Sequence, residues 1–421
     1  MKKIIAEQIN NYFDNHYLLN NRQFGFRRGH STADLLLLMS KKWNDYLDKG
    51  INTLVIALDI AGAFDSVWHQ GLISKLSALG ISGNLLGLFS NYLNGRYLQV
   101  VVNGHTSSSY PVAASVPQGS VLGPILWNVY LNDLLHCMPS VHAYADDCTL
   151  THSFTRANVE EVIQDINQQL QFLQSWGRRW QVTFAPAKTH AMVITRSPTD
   201  LNALDGRLKF NDKTLEIKSS INILGVEIDH RLTFESHIKT VAHKASLKVT
   251  MLRRMRKLLD SKGLVTLYKA QIRSHLEYAC LAWMASPRTH LALLDKVQRR
   301  AERIIANACR QGEEINALES LHHRRNVAAL TVLHKAQVQR VPHFVPLGLP
   351  WRQPQRVTRA ALQSDCLVQV PRSHTSLHQR TFVAATAHLW NAMTTQMDVR
   401  QLSTQKMKQA ANCWCHSNFV T

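Results

Sequence analysis

Three carboxylates in the sequence lie where metal chemistry is expected. Asp146 and Asp147 stand between two apolar runs, where one predicted strand turns into the next. Two like charges so close raise each other's pKa and destabilise the fold unless a cation lies beside them. The third carboxylate, Asp59, directly follows the apolar run 53–58, which predicts a buried strand ending in a charge. Hard divalent cations bind such oxygen ligands, although an Asp pair at a hairpin tip is also a common turn former.

The chain that must fold to position these carboxylates has 421 residues, of which 45% are hydrophobic. Such a chain can bury a large core and predicts two or three domains. We find no apolar stretch of the roughly 20 residues that span a bilayer, and the N-terminus becomes polar too early for a signal peptide. The sequence therefore predicts an intracellular protein without a membrane segment.

The cysteine pattern favours reduced thiols. Seven cysteines are scattered along the chain, and an odd number in this arrangement argues against a disulfide framework. Cys413, Cys415 and His416 offer three metal ligands without a fourth nearby. Because structural zinc has four ligands, we interpret this trio as coincidence.

The net charge of +19 is confined to one half of the chain. Residues 231–421 carry 29 Lys and Arg against 10 Asp and Glu, whereas residues 1–230 carry 19 of each. A one-sided basic excess of this size is typical of a surface that binds a polyanion. The alternative, a merely solvated basic surface, explains a modest excess but not its segregation, so we expect nucleic acid as a partner.

Hydrophobic periodicity separates a mixed N-terminal half from a helical C-terminal half. Apolar runs predict strands at 53–58, 97–102, 182–185 and 191–195, with further strand-like pieces between 208 and 228. Amphipathic spacing and capping residues predict the following helices: 2–18, 32–49, one ending near 79, 83–93, 123–135, 159–176, 235–259, 263–284, 290–310, 320–339 and 377–412.

Several loops carry side chains that could contact a ligand. Arg27 and Arg28 lie in a glycine-punctuated loop just before a predicted helix, where arginines either bind phosphate or are simply solvated. The sequence leaves these two alternatives open. In a second loop, Gln118 and Gly119 offer a polar side chain and bare backbone to a group that must approach closely. Lys188 lies between two short predicted strands.

The order of the motifs resembles a known family. Leu58-Asp59-Ile60-Ala61-Gly62-Ala63-Phe64-Asp65, Val116-Pro117-Gln118-Gly119-Ser120 and Tyr144-Ala145-Asp146-Asp147 are similar to motifs of reverse transcriptases of non-LTR retrotransposons, the jockey-like group in particular. Further matches support the resemblance: Gln23-Phe24-Gly25-Phe26-Arg27, Lys188-Thr189, Leu224-Gly225-Val226, Val297-Gln298-Arg299-Arg300-Ala301 and Leu389-Trp390-Asn391. Several specific motifs in the right order are strong evidence where one alone would be weak.

The resemblance implies an α+β fold of the right-hand polymerase type, with a palm made of an antiparallel sheet backed by helices. The domains it implies are partial fingers at 1–52, the palm at 53–230, a basic helical thumb at 231–340, a linker at 341–354 and a helical C-terminal region at 355–421. The implied location is the cytoplasm and nucleus.

The implied activity is RNA-directed DNA polymerisation, in which a dNTP is added to a DNA primer on an RNA template. Asp59, Asp146 and Asp147 would hold two Mg²⁺ ions, or Mn²⁺, and the metals would activate the primer 3′-hydroxyl and hold the triphosphate. Lys188 would protonate the leaving pyrophosphate. The alternative for Lys188 is a solvated lysine in a turn.

The resemblance also assigns residues to nucleotide and template. Phe64 matches an aromatic residue that excludes the ribose 2′-hydroxyl, although a core position is the alternative. Gln118 and Gly119 match a loop that lies against the template and the incoming nucleotide. Arg27 belongs to the upstream motif, and Arg27 and Arg28 are both expected to contact nucleotide or template.

Three departures from the family pattern qualify this assignment. Relatives carry a fingers segment with an Arg-Pro-Ile type motif upstream of the first helix, and also an endonuclease and a cysteine-rich module, none of which we find here. Ser115 stands where relatives usually have glycine. We therefore expect an N-terminally truncated chain, and the alternative function is a catalytically weak or inactive remnant that binds RNA through its basic helical half.

Overall fold

The computed structural model describes residues 2–201, 203–308, 318–352 and 366–419. The chain divides into two compact units. The first unit comprises residues 1–32 and 52–221, and the second comprises residues 33–51 and 222–421. These units reflect spatial proximity and not function, so the polymerase domain boundaries remain a prediction.

The first unit combines helices with short antiparallel strands. Its helices are Lys2–Asn15, His69–Ala78, Gly83–Leu93, Gly123–Cys137, Val159–Trp180 and Pro198–Leu201, with a 3-10 turn at Arg156–Asn158. Its strands are Asn52–Leu58, Ile60–Ala61, Tyr97–Leu98, Val101–Val102, His105–Thr106, Tyr110–Pro111, Val141–Tyr144, Asp147–Phe154, Thr183–Phe184, His190–Ile194, Lys209–Phe210 and Lys213–Thr214.

A four-stranded antiparallel sheet forms the centre of this unit. Asn52–Leu58, hereafter the central strand, pairs on one side with His190–Ile194 and on the other with Asp147–Phe154. Val141–Tyr144 completes the sheet as the outer partner of Asp147–Phe154, and these two strands form the aspartate hairpin. The predicted strands 53–58 and 191–195 are therefore confirmed within one or two residues.

Helices cover this sheet because the central strand is apolar along nearly its whole length. Leu54, Val55 and Ile56 are fully buried, as expected for a strand covered on both faces. The long helix Val159–Trp180 contributes the stripe predicted to be core. Its first member, Val159, is partly buried against the core, and the other members are buried: Val162, Ile163, Ile166, Leu170, Leu173 and Trp176. The predicted α+β class, an antiparallel sheet backed by helices, is confirmed.

The second unit is predominantly helical. Its helices are Thr32–Asp48, Glu235–Met255, Ser261–Leu267, Ser274–Glu277, Arg288–Ala306, Leu321–Gln337, Ser376–Gln379, Phe382–Thr394 and Thr404–Phe419, with a π-helical turn at Tyr268–Arg273 and a 3-10 helix at Pro342–Leu347. Two strands, Ser220–Ile223 and Val226–Asp229, lie at the boundary between the units in sequence. Trp390 is fully buried and donates its indole N–H to the Cys366 carbonyl at 2.8 Å.

Two predicted helices are interrupted in the structure. The stretch 263–284 contains the π-helical turn and ends its last helix at Glu277. The stretch 377–412 breaks between Thr394 and Thr404, where Asp398 accepts hydrogen bonds from the backbone and side chain of Arg400. An aspartate that binds the backbone two residues ahead favours a turn over a helix.

The proline-rich segment 341–354 is packed over the part that the structure describes. Phe344 and Leu347 in its 3-10 helix are buried in the core of the second unit. Apolar side chains between the prolines bury themselves, so this part of the segment is packed, and its role as a linker between domains stays a prediction. Residues 353–365 of the predicted linker and C-terminal region, and residues 309 and 310 of a predicted helix, lie outside the described residues.

Among the helices that the structure describes, none is long and apolar enough to cross a membrane.

Candidate active site

The register of the central strand brings the predicted carboxylates together. Leu58 pairs with Cys148 in the antiparallel ladder. Asp59 follows Leu58, and Asp147 precedes Cys148, so the two carboxylates face each other at the same end of the sheet. Asp146 lies in the tight turn between Tyr144 and Asp147, which pair with each other. Ala145 enters this turn in a left-handed conformation, with φ of 59°.

The electrostatics of this cluster follow from its three negative charges. Partial burial, together with the charges of Asp146 and then Asp59, raises the pKa of Asp147. Asp59 Oδ2 is buried without a hydrogen-bond partner. The nearest cation is Lys188, whose Nζ lies 3.6 Å from that oxygen and whose side chain is 70% exposed. One exposed ammonium leaves most of the negative charge uncompensated.

The donor atoms of the three aspartates suit a divalent cation of the hard type, but among the described residues these oxygens do not all lie within 4.8 Å of one another. All its ligand atoms are carboxylate oxygens, which Mg²⁺ and Mn²⁺ prefer. Burial first, and then the charges of Asp146 and Asp59, raise the pKa of Asp147, and Asp59 Oδ2 has the ion pair with Lys188 but no hydrogen bond. A bound cation would relieve both features.

The Lys188 position results from a second short strand pair. Ile60 pairs with Phe184, and the Ala185 amide donates to the Asp59 carbonyl at 2.8 Å. The turn that follows carries Lys188 back toward the Asp59 carboxylate. The structure therefore brings Lys188 into the same cluster as the three aspartates.

A buried glutamine holds the tip of the aspartate hairpin in place. Gln23 Oε1 accepts hydrogen bonds from the amides of Gly25 and Ala145, at 2.8 and 3.0 Å, and its Nε2 donates to the Ala145 carbonyl at 3.2 Å. A Cβ at Gly25 would lie 2.1 Å from the Ala145 nitrogen. The segment around Gln23 thus packs directly against the turn that carries Asp146.

Aromatic side chains support the same turn from the other direction. The Trp127 indole donates to the Ala145 carbonyl at 3.0 Å. Phe64 stacks on Trp127 with ring centroids 5.8 Å apart and meets Phe26 edge-on at 6.0 Å. Phe64 is half-buried, so it is anchored in the core on one face and partly open on the other.

The loop with Gln118 contacts the segment that follows the central strand. Gln118 Nε2 donates to Asp65 Oδ1 at 2.9 Å, and both residues are exposed. Gly119 has φ of 74°, and a Cβ there would meet nothing within 4 Å. Glycine is needed here for its backbone conformation and not for lack of space.

The two arginines of the upstream loop have different environments. Arg27 is engaged within the unit, because it donates to the Asn20 carbonyl at 3.1 Å and to Asp14 Oδ1 at 3.2 Å. Arg28 is exposed, and its guanidinium makes no hydrogen bond or ion pair with the residues that the structure describes. Arg28 is therefore better placed than Arg27 to reach a phosphate.

Sequence reasoning did not identify Gln23 and Trp127 as residues that position the site. The two residues contact Ala145 from elements 122 and 18 residues away, and no local pattern indicates such a contact. The one available signal was that Gln23 directly precedes the aromatic and glycine run Phe24-Gly25-Phe26.

A second group of metal-ligating side chains lies in the second unit. Glu319, His323 and His416 place one ligand atom each within 4.8 Å of one another. Neither Cys413 nor Cys415 belongs to this group in the part of the chain described. His323 Nε2 already lies 2.8 Å from Asn412 Oδ1, at hydrogen-bond distance, so the group is satisfied without an ion.

Comparison with known proteins gives a consistent match. The family model described as "Reverse transcriptase (RNA-dependent DNA polymerase)" matches residues 1–228. The probable RNA-directed DNA polymerase from transposon BS of Drosophila melanogaster is 30% identical over 322 residues, which are 73% of this chain and 34% of that protein. The RNA-directed DNA polymerase from mobile element jockey of Drosophila funebris is 31% identical over 305 residues, or 68% and 32%. The chain spans about a third of the length of these relatives.

Among solved structures, apo telomerase from Candida tropicalis is 10% identical, with a TM-score of 0.41 over 97% of this chain and 60% of that chain. This similarity is too low to assign roles to residues.

Proposed function

The chain belongs to the reverse transcriptase family, and from this premise we propose that it is an RNA-directed DNA polymerase of a non-LTR retrotransposon. The reaction is attack of a DNA primer 3′-hydroxyl on the α-phosphate of a dNTP, directed by an RNA template, with pyrophosphate as the leaving group. The relatives named above carry this activity in their names, and its transfer to this chain is the proposal.

The observation that supports the proposed polymerase function most directly is the Leu58–Cys148 pairing. It places Asp59 opposite Asp147 although 88 residues separate them in sequence. Carboxylates at the same end of neighbouring strands are the kind of protein ligand that a two-metal site uses. A turn formed only for folding would not need Asp59 beside it.

The chain's own residues would act in distinct ways. Asp59, Asp146 and Asp147 would hold two Mg²⁺ ions, which when bound activate the nucleophile and stabilise the charge that develops on the phosphoryl oxygens. Lys188 lies 3.6 Å from Asp59 Oδ2 and would donate a proton to the leaving pyrophosphate. Its exposed side chain gives it the freedom to follow the leaving group.

Recognition of the nucleotide would depend on the groups around the carboxylates. The partly open face of Phe64 would lie against the sugar and exclude a 2′-hydroxyl. The Gln118–Gly119 loop would lie against the template and the incoming base. Arg28, with its free guanidinium, would contact phosphate, while Arg27 would hold the loop to the first helix.

The basic excess of residues 231–421 supports binding of the template and primer by the second unit. The same observation also favours a second candidate function, RNA binding without catalysis. The two candidates predict similar salt-dependent binding but different chemistry, so a binding assay alone cannot distinguish them.

Primer extension on poly(rA)/oligo(dT) with dTTP and Mg²⁺ distinguishes the two candidates. We expect extension by the wild-type chain and none by Asp146→Ala, with template–primer affinity little changed. Asp205→Ala, which removes an exposed carboxylate from a loop of the first unit, is the matched control and should extend normally. Tight binding without extension in Mg²⁺ or Mn²⁺ would reject the polymerase and favour the second candidate.

A further inference from the structure

A cavity of about 370 Å³ lies within the second unit, away from the candidate active site in sequence. Its walls include the apolar side chains of Met284, Leu291 and Leu389. Its volume is in the range of cavities that hold a small organic ligand. Its polar lining is unusual because it is strongly basic: Arg288, Arg325, Arg380, His322 and His388.

Arg325 is the buried member of this group. Its side chain is 5% exposed, and burial lowers its pKa. In residues 2–201, 203–308, 318–352 and 366–419, no acceptor lies within hydrogen-bond or ion-pair distance of its guanidinium. Cys280, Asp295 and Glu277, in that order, act on it through electrostatics without a hydrogen bond or ion pair. None of its guanidinium nitrogens is a fully buried atom without a partner, so the guanidinium faces the cavity that it lines.

The neighbouring residue shows that this arrangement is specific. Arg324, one position earlier on the same helix, forms a two-pronged ion pair with Glu277, including Nη2 to Oε2 at 2.9 Å. The fold therefore gives Arg324 an internal ion pair, whereas Arg325 has none among the described residues. A buried charge without a partner destabilises a protein unless an ion of opposite sign compensates it.

The remaining basic groups converge on the opening of the cavity. Arg288 is exposed, and its charge and that of Arg325 both lower the pKa of His322, after burial. Arg380 uses Nε to donate to the Ala285 carbonyl at 3.0 Å, which fixes its position and leaves its terminal nitrogens for other acceptors. Three guanidinium groups around one cavity match the oxygens of a phosphate, which arginine binds in a bidentate manner.

We propose that this cavity binds the phosphate group of a single nucleotide unit, with Arg325 at its base and the Leu291 and Leu389 wall against the base or sugar. The cavity is too small for a duplex, so the unit is either a free nucleotide or the end of a strand. The proposal goes beyond the polymerase reaction and does not depend on it, because binding here requires neither the aspartates nor extension.

Binding to the full chain is measured by calorimetry with four probes: inorganic phosphate, dAMP, single-stranded oligo(dT) with a 5′-phosphate, and the same strand with a 5′-hydroxyl. We expect dAMP to bind, and Arg325→Met to weaken that binding by about 10- to 100-fold, as for loss of a charged hydrogen-bond partner. Arg299→Gln, which removes an exposed charge from the helix Arg288–Ala306, is the control and should change affinity less than about twofold. Competition between dAMP and the 5′-phosphorylated strand would identify a strand end, and binding of dAMP alone would identify a free nucleotide.

The stability of the unliganded variants provides a second test. Because Arg325 has no counter-ion among the described residues, Arg325→Met should leave the midpoint of unfolding unchanged or higher without ligand, and should abolish the increase that dAMP produces in the wild type. A markedly lower midpoint would contradict the proposal, since it would mean that Arg325 is already satisfied by the fold. Equal dAMP binding by the wild type and Arg325→Met, or no binding of any probe, would also overturn it.

Discussion

Replacing Gln23 with methionine tests how the aspartate hairpin is held. Gln23 is 2% exposed, and its amide oxygen is the acceptor for the backbone N–H groups of Gly25 and Ala145. Methionine has a similar volume, so it removes the hydrogen bonds without opening a large cavity. A buried donor left without a partner costs about 1–3 kcal/mol, so two such donors predict a loss of about 2–6 kcal/mol. The Ala145 carbonyl keeps its bond from Trp127 and adds little to this loss.

Hydrogen exchange is the sharpest assay, because it reports on the two amides themselves. The amides of Gly25 and Ala145 should exchange much faster in Gln23→Met than in the wild type, and primer extension should fall because the turn with Asp146 is no longer fixed. Gln8→Met, on the exposed side of the first helix, should change stability by less than about 0.5 kcal/mol. If Gln23→Met shows wild-type exchange at both amides, the hairpin is held by other contacts and the reasoning is wrong.

Three further substitutions test other parts of the first unit. Ser115 has φ of 109°, a conformation that costs a non-glycine residue about 1–3 kcal/mol. Ser115→Gly should therefore raise the free energy of unfolding by about 1 kcal/mol, after the conformational entropy that glycine adds to the unfolded chain is subtracted. The control Ser109→Gly, at an ordinary φ, should lower the free energy of unfolding. Burial lowers the pKa of Lys75 to about 8, so between pH 8 and 10.5 the unfolded chain binds the proton that the folded chain has lost. The free energy of unfolding should therefore rise with pH in that window, by at most about 1.4 kcal/mol per unit, and Lys75→Met should remove this slope in urea titrations. Phe64→Ala should incorporate ribonucleotides more readily in single-turnover assays, and unchanged sugar selectivity would contradict the proposed role of Phe64.

The sequence allowed prediction of those parts of the candidate site that depend on local patterns. An apolar run followed by Asp59, and a polar pair between two apolar runs, indicated a strand and a hairpin without knowledge of their pairing. The spatial relation of Asp59 to Asp146 and Asp147 followed only from the family resemblance, because register depends on contacts between distant segments. The structure supplies that register through the Leu58–Cys148 pair.

Contacts that join distant segments could not be predicted. The hydrogen bonds of Gln23 to Ala145 cross 122 residues, and a glutamine in a glycine-containing loop is ordinarily taken as exposed. The break near Asp398 was missed for a different reason, since helical periodicity resumes after it and masks the turn. Hydrophobic periodicity indicates which face of a helix is buried. It does not indicate whether the helix continues through polar residues such as Asp398 and Arg400.

The position of the central strand in the sheet has a consequence for the order in which the chain can fold during synthesis. Residues 52–58 leave the ribosome long before either of their partners, which lie at 147–154 and 190–194. Both edges of an apolar strand therefore stay unpaired while more than 90 further residues are made, a state that is slow to resolve and exposed to aggregation. A chain interrupted before residue 146 would carry Asp59 without its opposing carboxylates, so the same connectivity that builds the carboxylate cluster also delays its assembly until the sheet is nearly complete.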